Sequence, residues 1–458
     1  MLCFSVSCQK EETDIQPNTL PIIWERSFTV ASPGEFQFTG MEQDAAGFIY
    51  TTGWFSRTLD FNEKNSGDGD LSFYINTGQN SKRNSFVAKF TEEGKAVWLV
   101  TFVTNDDKQL YDMALDNLNN IYLVGNSGGG NISVTDINGT TNMQPAGVWK
   151  VSSNGEVLWS ANAGGTSVAY HETSNSLLIV GNSQRRFRGR DHFIRKIDAI
   201  NGNIDWSRTI ELSDESSEEN ISNIATNEYG DIVIVGGYAG TLTLPDGIIA
   251  DSSNTNILDN GSIYIAKWDI NGDTKWIKSQ IGGKVTERAL VLDDQGHIYH
   301  AGKHFESIQL DPNNNNGTFG VAELAGRSFI SALDENGNYL WGDSYYLGLP
   351  QRGVGDFIYR GGDIHLLLKA DGVIESKLNG PLYSFPKSEL SYGGTNARFS
   401  SFVKVDKNNG ASVVSDAGNQ SYRRAYEMDE LLIDHSGNYI YAGEVGSNQP
   451  YLAKERSF

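Results

Sequence analysis

Apolar positions along this chain fall in short runs bracketed by Asp, Asn and Gly, and the runs recur. Phe48-Ile49-Tyr50-Thr51-Thr52-Gly53 follows Asp44-Ala45-Ala46-Gly47, and Ile121-Tyr122-Leu123-Val124-Gly125 follows Asn119-Asn120. The same form returns at 177–181, 232–236, 298–302 and 439–443, with a weaker copy at 364–368. Together they make seven copies of a unit of about 65 residues. A run apolar on both faces predicts a strand covered on both sides, not one facing water.

Each unit keeps one internal order. A half-apolar strand, such as 110–115, 221–225 or 288–292, leads into a tight turn where Asp accepts backbone N–H groups and Gly closes the fourth position. After the apolar run comes a loop of variable length. A third strand follows, often with a basic residue, as in Phe86-Val87-Ala88-Lys89-Phe90 or Tyr264-Ile265-Ala266-Lys267-Trp268. Asn-Gly hairpin turns come next at Asn154-Gly155, Asn201-Gly202, Asn271-Gly272, Asn336-Gly337 and Asn409-Gly410, and a fourth strand carries Trp98, Trp159, Trp206, Trp276 or Trp341. Four antiparallel strands per unit make a propeller blade.

The seventh unit stops after its third strand, and Ile22-Ile23-Trp24-Glu25-Arg26-Ser27-Phe28 is a fourth strand with no unit before it. Joining the two closes a ring and satisfies edges that otherwise invite aggregation. The predicted fold is all-β: a seven-bladed β-propeller of four-stranded antiparallel blades, the last closed by the N-terminal strand. Length alone suggests two or three domains, but a repeat built by addition makes residues 21–458 one domain, with 1–20 as a tether. The sixth unit departs most, having no Trp, no Gly after its second strand and no Asp-x-x-Gly turn of the usual form.

The stretch from Gly47 to Phe61, of the form Gly-x-Ile-Tyr-x-x-Gly-x-Phe-x-x-Thr-Leu-Asp-Phe, with Phe86 to Phe90 and Trp98 after it, resembles the bacterial SBBP β-propeller repeat. The run from Asp198 to Trp206 is similar, more loosely, to the quinoprotein-type propeller repeat. The resemblance covers about residues 22–455 and implies fold more than chemistry, because such repeats carry many functions.

A formal charge of −21 argues against nucleic acid, where a basic stripe must displace counterions from phosphate. Beyond Cys3 and Cys8 there is no cysteine, hence no disulfide framework and no thiolate metal site. Phe4-Ser5-Val6-Ser7-Cys8 resembles a lipoprotein cleavage site, which makes Cys8 the expected point of acylation. Gln9-Lys10-Glu11-Glu12-Thr13-Asp14 resembles the export signal of bacterial surface lipoproteins. Only seven residues without a basic n-region precede Cys8, pointing to a start inside a longer signal peptide. The expectation is an outer-membrane lipoprotein displayed at the cell surface, monomeric, touching the membrane only through its N-terminal lipid. No later stretch approaches the length of an apolar membrane span.

The first-to-second and third-to-fourth strand turns are short, whereas the other two sets of connections vary, and in a propeller the variable sets share one rim. Long loops at about 60–85, 245–262, 311–327 and 370–399 carry Tyr74, Tyr383, Phe385 and Tyr392 among small polar residues, a mixture that suits carbohydrate stacking or protein contact. Acidic pairs at Asp68 and Asp70, Asp106 and Asp107, and 214–219 fall on the same rim. Calcium is the candidate cofactor, at Asp311-Pro312-Asn313-Asn314-Asn315-Asn316-Gly317, but the Gly is one place late and Ala322 stands where an EF-hand needs Glu. Strand alternation sets His297 opposite His300 and His304, against a zinc site. Tyr422-Arg423-Arg424 and the Arg-rich run 184–188 are candidates for an anionic sugar.

No Gly-x-Ser-x-Gly elbow is present, and 57 acidic residues offer too many pairs to nominate a glycosidase dyad. The leading expectation is therefore a non-enzymatic scaffold that binds a glycan or protein ligand. Its rivals are a carbohydrate-active hydrolase or lyase at the channel mouth and a quinoprotein dehydrogenase, the latter disfavoured because the Trp residues fall on outer strands.

Overall fold

A computed structural model describes residues 22–456 apart from 31–33, 63–73, 77–81, 104–108, 126–130, 138, 140, 146, 185–189, 213–220, 239, 252–261, 283–284, 306, 312–317, 320–325, 349–352, 372, 385–397, 417–425 and 446–448. The apolar runs form the second strands of seven antiparallel blades, whose strands are named a to d from the axis outward. Blade 1 holds Phe36–Gln43, Ile49–Phe55, Asn84–Phe90 and Ala96–Val103; blade 2 holds Leu110–Leu115, Ile121–Gly125, Val148–Val151 and Val157–Ala161. Blade 3 holds Ser167–His171, Ser176–Gln184, Arg190–Asp198 and Ile204–Leu212, and blade 4 Ile221–Thr226, Ile232–Tyr238, Ser262–Trp268 and Thr274–Gly282. Blade 5 holds Val285–Leu292, Ile298–His304, Arg327–Leu333 and Tyr339–Tyr346; blade 6 holds Gly353–Arg360, Asp363–Asp371, Arg398–Asp406 and Ser412–Asp416.

Blade 7 is made from both ends of the chain. Its strands a to c are Tyr426–Ile433, Tyr439–Val445 and Gln449–Glu455, and its strand d is Ile22–Ser27, paired antiparallel with Trp24 opposite Lys454 and Ser27 opposite Tyr451. Phe28 N donates to Pro450 O at 2.9 Å and Tyr451 Oη to Glu25 at 2.8 Å. Phe28 then packs with Phe61, Phe86 and Phe90 of blade 1 and Leu452 of blade 7 in one buried cluster. Each strand a touches the next around the axis, and that of blade 7 touches that of blade 1, so the ring is closed.

The two-sided apolar runs are sandwiched between blades as expected. All seven residues of Ile49–Phe55 are buried, and so are all seven of the third strand Ser262–Trp268. The hydrophobic clusters straddle blade junctions: Leu178 and Val180 of blade 3 pack with Ile224 and Ile234 of blade 4. In blades 1, 2, 5 and 7 the a–b turns take their predicted form. Asp44 Oδ1 accepts the N–H groups of Ala46 and Phe48 at 3.0 and 2.9 Å, while its Oδ2 accepts Tyr50 Oη at 2.9 Å. Asp116 and Asp293 repeat that pattern with Tyr122 and Tyr299.

The outer tryptophans and the glycine turns are two halves of one contact. Trp24, Trp98, Trp159, Trp206, Trp276 and Trp341 each donate an indole N–H to a backbone oxygen in the c–d turn of the following blade, at Glu92, Ser153, Ala199, Ile270, Glu335 and Lys407. The turn glycine lies against the same ring. A Cβ on Gly410, at φ +73°, would stand 2.8 Å from Trp341, and Gly94, Gly155, Gly202, Gly272 and Gly337 sit similarly close to their own tryptophans. A small residue with left-handed backbone is thus required twice over, by the turn and by the neighbouring indole.

The long b–c connections are not free loops throughout. Within them, short hairpins turn back and add to strand d of the preceding blade: Asn131–Thr135 with Thr141–Pro145 on blade 1, Thr241–Thr243 with Ile249–Asp251 on blade 3, Ile308–Gln309 with Thr318–Phe319 on blade 4, and Val373–Ser376 with Gly380–Ser384 on blade 5. Thr58–Asp60 with Tyr74–Asn76 pairs likewise with Thr29–Val30, next to the closing strand of blade 7. Buried Asp343 of blade 5 clamps one hairpin, accepting from Ser376 Oγ at 2.5 Å and Leu378 N at 3.0 Å. Among the described residues, blades 2 and 6 receive no such hairpin.

Candidate functional site

The most unusual chemistry among the described residues lies on the axis. Strand register places Gly40, Asp112, Ser167, Asn223, Ala289, Asp356 and Glu430 at one level of the seven inner strands, each opposite the equivalent residue of strand b. In every blade but the third, a bulge residue precedes that level, which turns the strand and re-aims the side chain. Asp112 Oδ2 crosses to the next blade, accepting Ser167 Oγ at 2.7 Å and Val168 N at 2.9 Å. Asp356 Oδ2 does the same with Leu431 N at 2.9 Å. These carboxylates bridge the backbone edges that face the channel.

Three acids therefore share a level, with Glu42 beside them. Burial pushes the Asp112 carboxyl up to about 6 against the pull of Ser167 Oγ and two backbone N–H groups. Burial, then the charges of Asp112 and Asp356, pushes Glu42 up to about 7. Asp356 and Glu430 are raised in the same way, by burial first and by their neighbours' charges as well, so the group retains protons near neutrality. One ammonium enters the ring, where Lys369 Nζ meets Asp429 Oδ1 at 2.6 Å. Acids held protonated near pH 7 are able to donate a proton or a hydrogen bond to a bound polar ligand. Among the described residues, no group of three or more His, Cys, Asp or Glu is arranged to hold a metal ion.

No family model matches the chain, and no curated protein matches it. Among solved structures, it is similar to the quinohemoprotein alcohol dehydrogenase of Comamonas testosteroni, at 11% identity and TM-score 0.44 over 95% of this chain and 76% of that one. It is likewise similar to the β-propeller domain of the trilobed protease of Pyrococcus furiosus, at 11% identity and TM-score 0.43 over 93% and 98%. Drosophila Semaphorin 1b, extracellular domains 1–2, matches at 8% identity and TM-score 0.43 over 96% and 88%.

Most of the residues singled out from sequence fall outside the described residues. Cys8, Phe385 and Tyr392 are outside the described residues, as are Asp68, Asp70, Asp106, Asp107, the run 214–219, the centre of the Asp311 loop and Tyr422-Arg423-Arg424. The backbone of Tyr74 is in the hairpin beside blade 7, opposite Asp60; that of Tyr383 is in the hairpin on blade 5, opposite Ile374. The histidines divide as alternation requires. His297 bonds Asp293 at 3.0 Å, while buried His300 and His304 both meet the Phe329 ring. The channel acids were missed in the sequence, although the signal was there: Asp112, Asp356 and Glu430 each stand four or five residues before the residue that opens the a–b turn.

Proposed function

We propose that this chain is a non-enzymatic binding scaffold, presenting the face that carries its b–c and d–a connections to a glycan or protein ligand. One asymmetry carries the reading. The a–b connections are turns at 44–48, 116–120, 172–175, 227–231, 293–297, 361–362 and 434–438, whereas the b–c connections of blades 1, 2, 4, 5 and 6 occupy 56–83, 126–147, 239–261, 305–326 and 372–397. A disc with indole contacts at its junctions and long connections on one rim has the form of a rigid frame bearing adaptable contacts. The finer assignment to SBBP-type repeats, and a surface lipoprotein anchored through Cys8, belong to the same proposal.

The full chain, probed on a glycan array and in pull-downs against surface proteins, is expected to retain a ligand, and shortening the connections at 239–261 and 372–397 to tight turns is expected to abolish retention. Retention unchanged by those deletions refutes the assignment of the face. Labelled palmitate incorporation that survives Cys8→Ser refutes the anchor. A carbohydrate-active enzyme is the second reading, favoured by the protonated carboxyls of the channel, and hydrolysis or elimination lost on Asp356→Asn would establish it in place of the first.

A further inference from the structure

The junctions between blades 2 and 3 and between blades 5 and 6 are built alike. Tyr122 stacks on Tyr170 with ring centroids 5.6 Å and planes 13° apart, and Tyr299 stacks on Tyr359 at 6.2 Å and 10°. Each strand-b tyrosine, Tyr122 or Tyr299, lies beside the junction tryptophan, Trp159 at 6.2 Å or Trp341 at 6.3 Å, and donates to a turn carboxylate, Asp116 at 2.9 Å or Asp293 at 3.2 Å. The two indoles donate to the backbone oxygens of Ala199 and Lys407, which makes those residues structural equivalents.

That position is where the junctions differ. Lys407 Nζ lies 5.3 Å from the centroid of the Tyr359 ring and donates to Tyr359 Oη at 3.2 Å and Asp293 Oδ2 at 3.1 Å. It supplies the ammonium that strand c of blade 5 lacks, since Ala332 stands opposite Tyr299 where Lys150 stands opposite Tyr122. At the other junction Lys150 Nζ comes from strand c, 3.7 Å from Asp116 Oδ2 and donating to Ala199 O at 3.1 Å, and Ala199 has no side chain to extend over Tyr170. A cleft of about 340 Å³ remains between Asp116, Trp159 and Tyr170, rimmed by Leu118, Leu158 and Ile200. The rim residues are 78%, 50% and 69% exposed.

We propose that this cleft receives a lysine side chain of a protein partner, seated over Tyr170 as Lys407 is seated over Tyr359. Asp116 lines the cleft beside the ammonium of Lys150, and the charges of Glu172 and Asp198 are also felt by the tyrosine pair; Asn117 Nδ2 donates to Glu172. Tyr170 Oη donates to Asn175 Oδ1 at 3.0 Å, which leaves its oxygen lone pairs as acceptors. The incoming methylenes cover the apolar rim, the ammonium reaches the phenol oxygen beside Asp116, and the chain's charge of −21 draws a basic partner to the disc. This face carries the a–b and c–d turns and is opposite the one assigned above, so the two proposals stand or fall separately.

The test uses the full chain labelled with fluorotryptophan and titrated with Nα-acetyl-lysine methylamide, the Trp159 resonance being assigned from Trp159→Phe. A saturable shift of that resonance is expected, with roughly ten-fold weaker binding of the norleucine counterpart, which has the alkyl chain without the charge. Ala199→Lys places an ammonium against Tyr170 from the position equivalent to Lys407, and is expected to abolish the shift. Leu118→Ser, at an exposed rim position, is expected to weaken binding without disturbing folding, and decides the matter if Ala199→Lys does not fold. No shift in the native chain, equal affinity for norleucine, or a response unchanged in Ala199→Lys or Leu118→Ser overturns the proposal.

Discussion

Replacing Glu42 by Gln should stabilise the ring, and only above mildly acidic pH. The Glu42 carboxyl ionises at about 7 in the folded chain against 4.5 for the ordinary group, because burial and the charges of Asp112 and Asp356 favour its neutral form. A raised acid contributes nothing unfavourable while both states are protonated. As pH rises past the unfolded value the unfolded chain releases its proton first, so stability falls until the folded carboxyl ionises too, near pH 7. The full difference corresponds to about 3 kcal/mol. Glu42 is only half-buried, so solvent screens part of it, leaving about 1–2 kcal/mol, or a rise of about 2 °C in Tm for a chain of this size. Thermal melts followed by circular dichroism should superimpose for the two chains at about pH 4.5 and separate progressively to about pH 8. A constant offset at every pH, or a Glu42→Gln chain that melts lower than the native one at pH 8, refutes the electrostatic account of the channel.

Other consequences concern the junctions and the closure. Gly410→Ala sets a Cβ 2.8 Å from Trp341 at φ +73° and should cost about 2–3 kcal/mol, read by chemical denaturation, whereas Gly361→Ala, with nothing within 4 Å, should cost only the backbone strain of about 1–2 kcal/mol. Deleting residues 1–30 removes strand d of blade 7 and the buried Phe28, so the chain should lose cooperative melting; a truncated chain that melts like the full one refutes closure by the N-terminus. Asp343→Ala leaves Ser376 and the Leu378 N–H without their acceptor and should cost about 3 kcal/mol, with limited proteolysis appearing first in the hairpin 373–384.

What the sequence disclosed depended on how locally each feature is encoded. The Asp turn, the two-sided strand and the Asn-Gly hairpin are set by neighbouring residues, and all were legible. So was the closing strand, because Ile22 to Phe28 repeats the look of a fourth strand where no unit precedes it. The cross-blade hairpins were not legible, since segments such as Thr58–Asp60 or Ile308–Gln309 are too short to show alternation and take their partner from another blade. The level shared by Asp112, Asp356 and Glu430 emerges only when units are aligned on their turns, and a lone acid in a half-apolar strand reads as solvent-facing until the strand is known to border a channel. The aromatics of the long loops, chosen for their chemistry, had no geometric support in the sequence at all.

The irregular sixth unit becomes intelligible on the same terms. Every tryptophan contact requires a c–d turn in the following blade, with a backbone oxygen for the indole N–H and a glycine beneath the ring. Blade 6 is followed by blade 7, whose strands c and d come from opposite ends of the chain and are joined by no turn. A tryptophan on strand d of blade 6 would have nothing to bond and an indole face left in water, so Ser412–Asp416 carries none. The absent residue that made the sixth unit look degenerate is therefore a consequence of the closure, and blade 7 is joined to blade 6 by other means: Asp356 to Leu431 N, Lys369 to Asp429 and His365 Nδ1 to Tyr439 Oη at 2.7 Å. Two of those contacts sit near the axis, within the acidic ring. Titrating that ring thus acts on the junction that lacks an indole, and the pH dependence of Glu42 and its neighbours should be felt there before it is felt elsewhere.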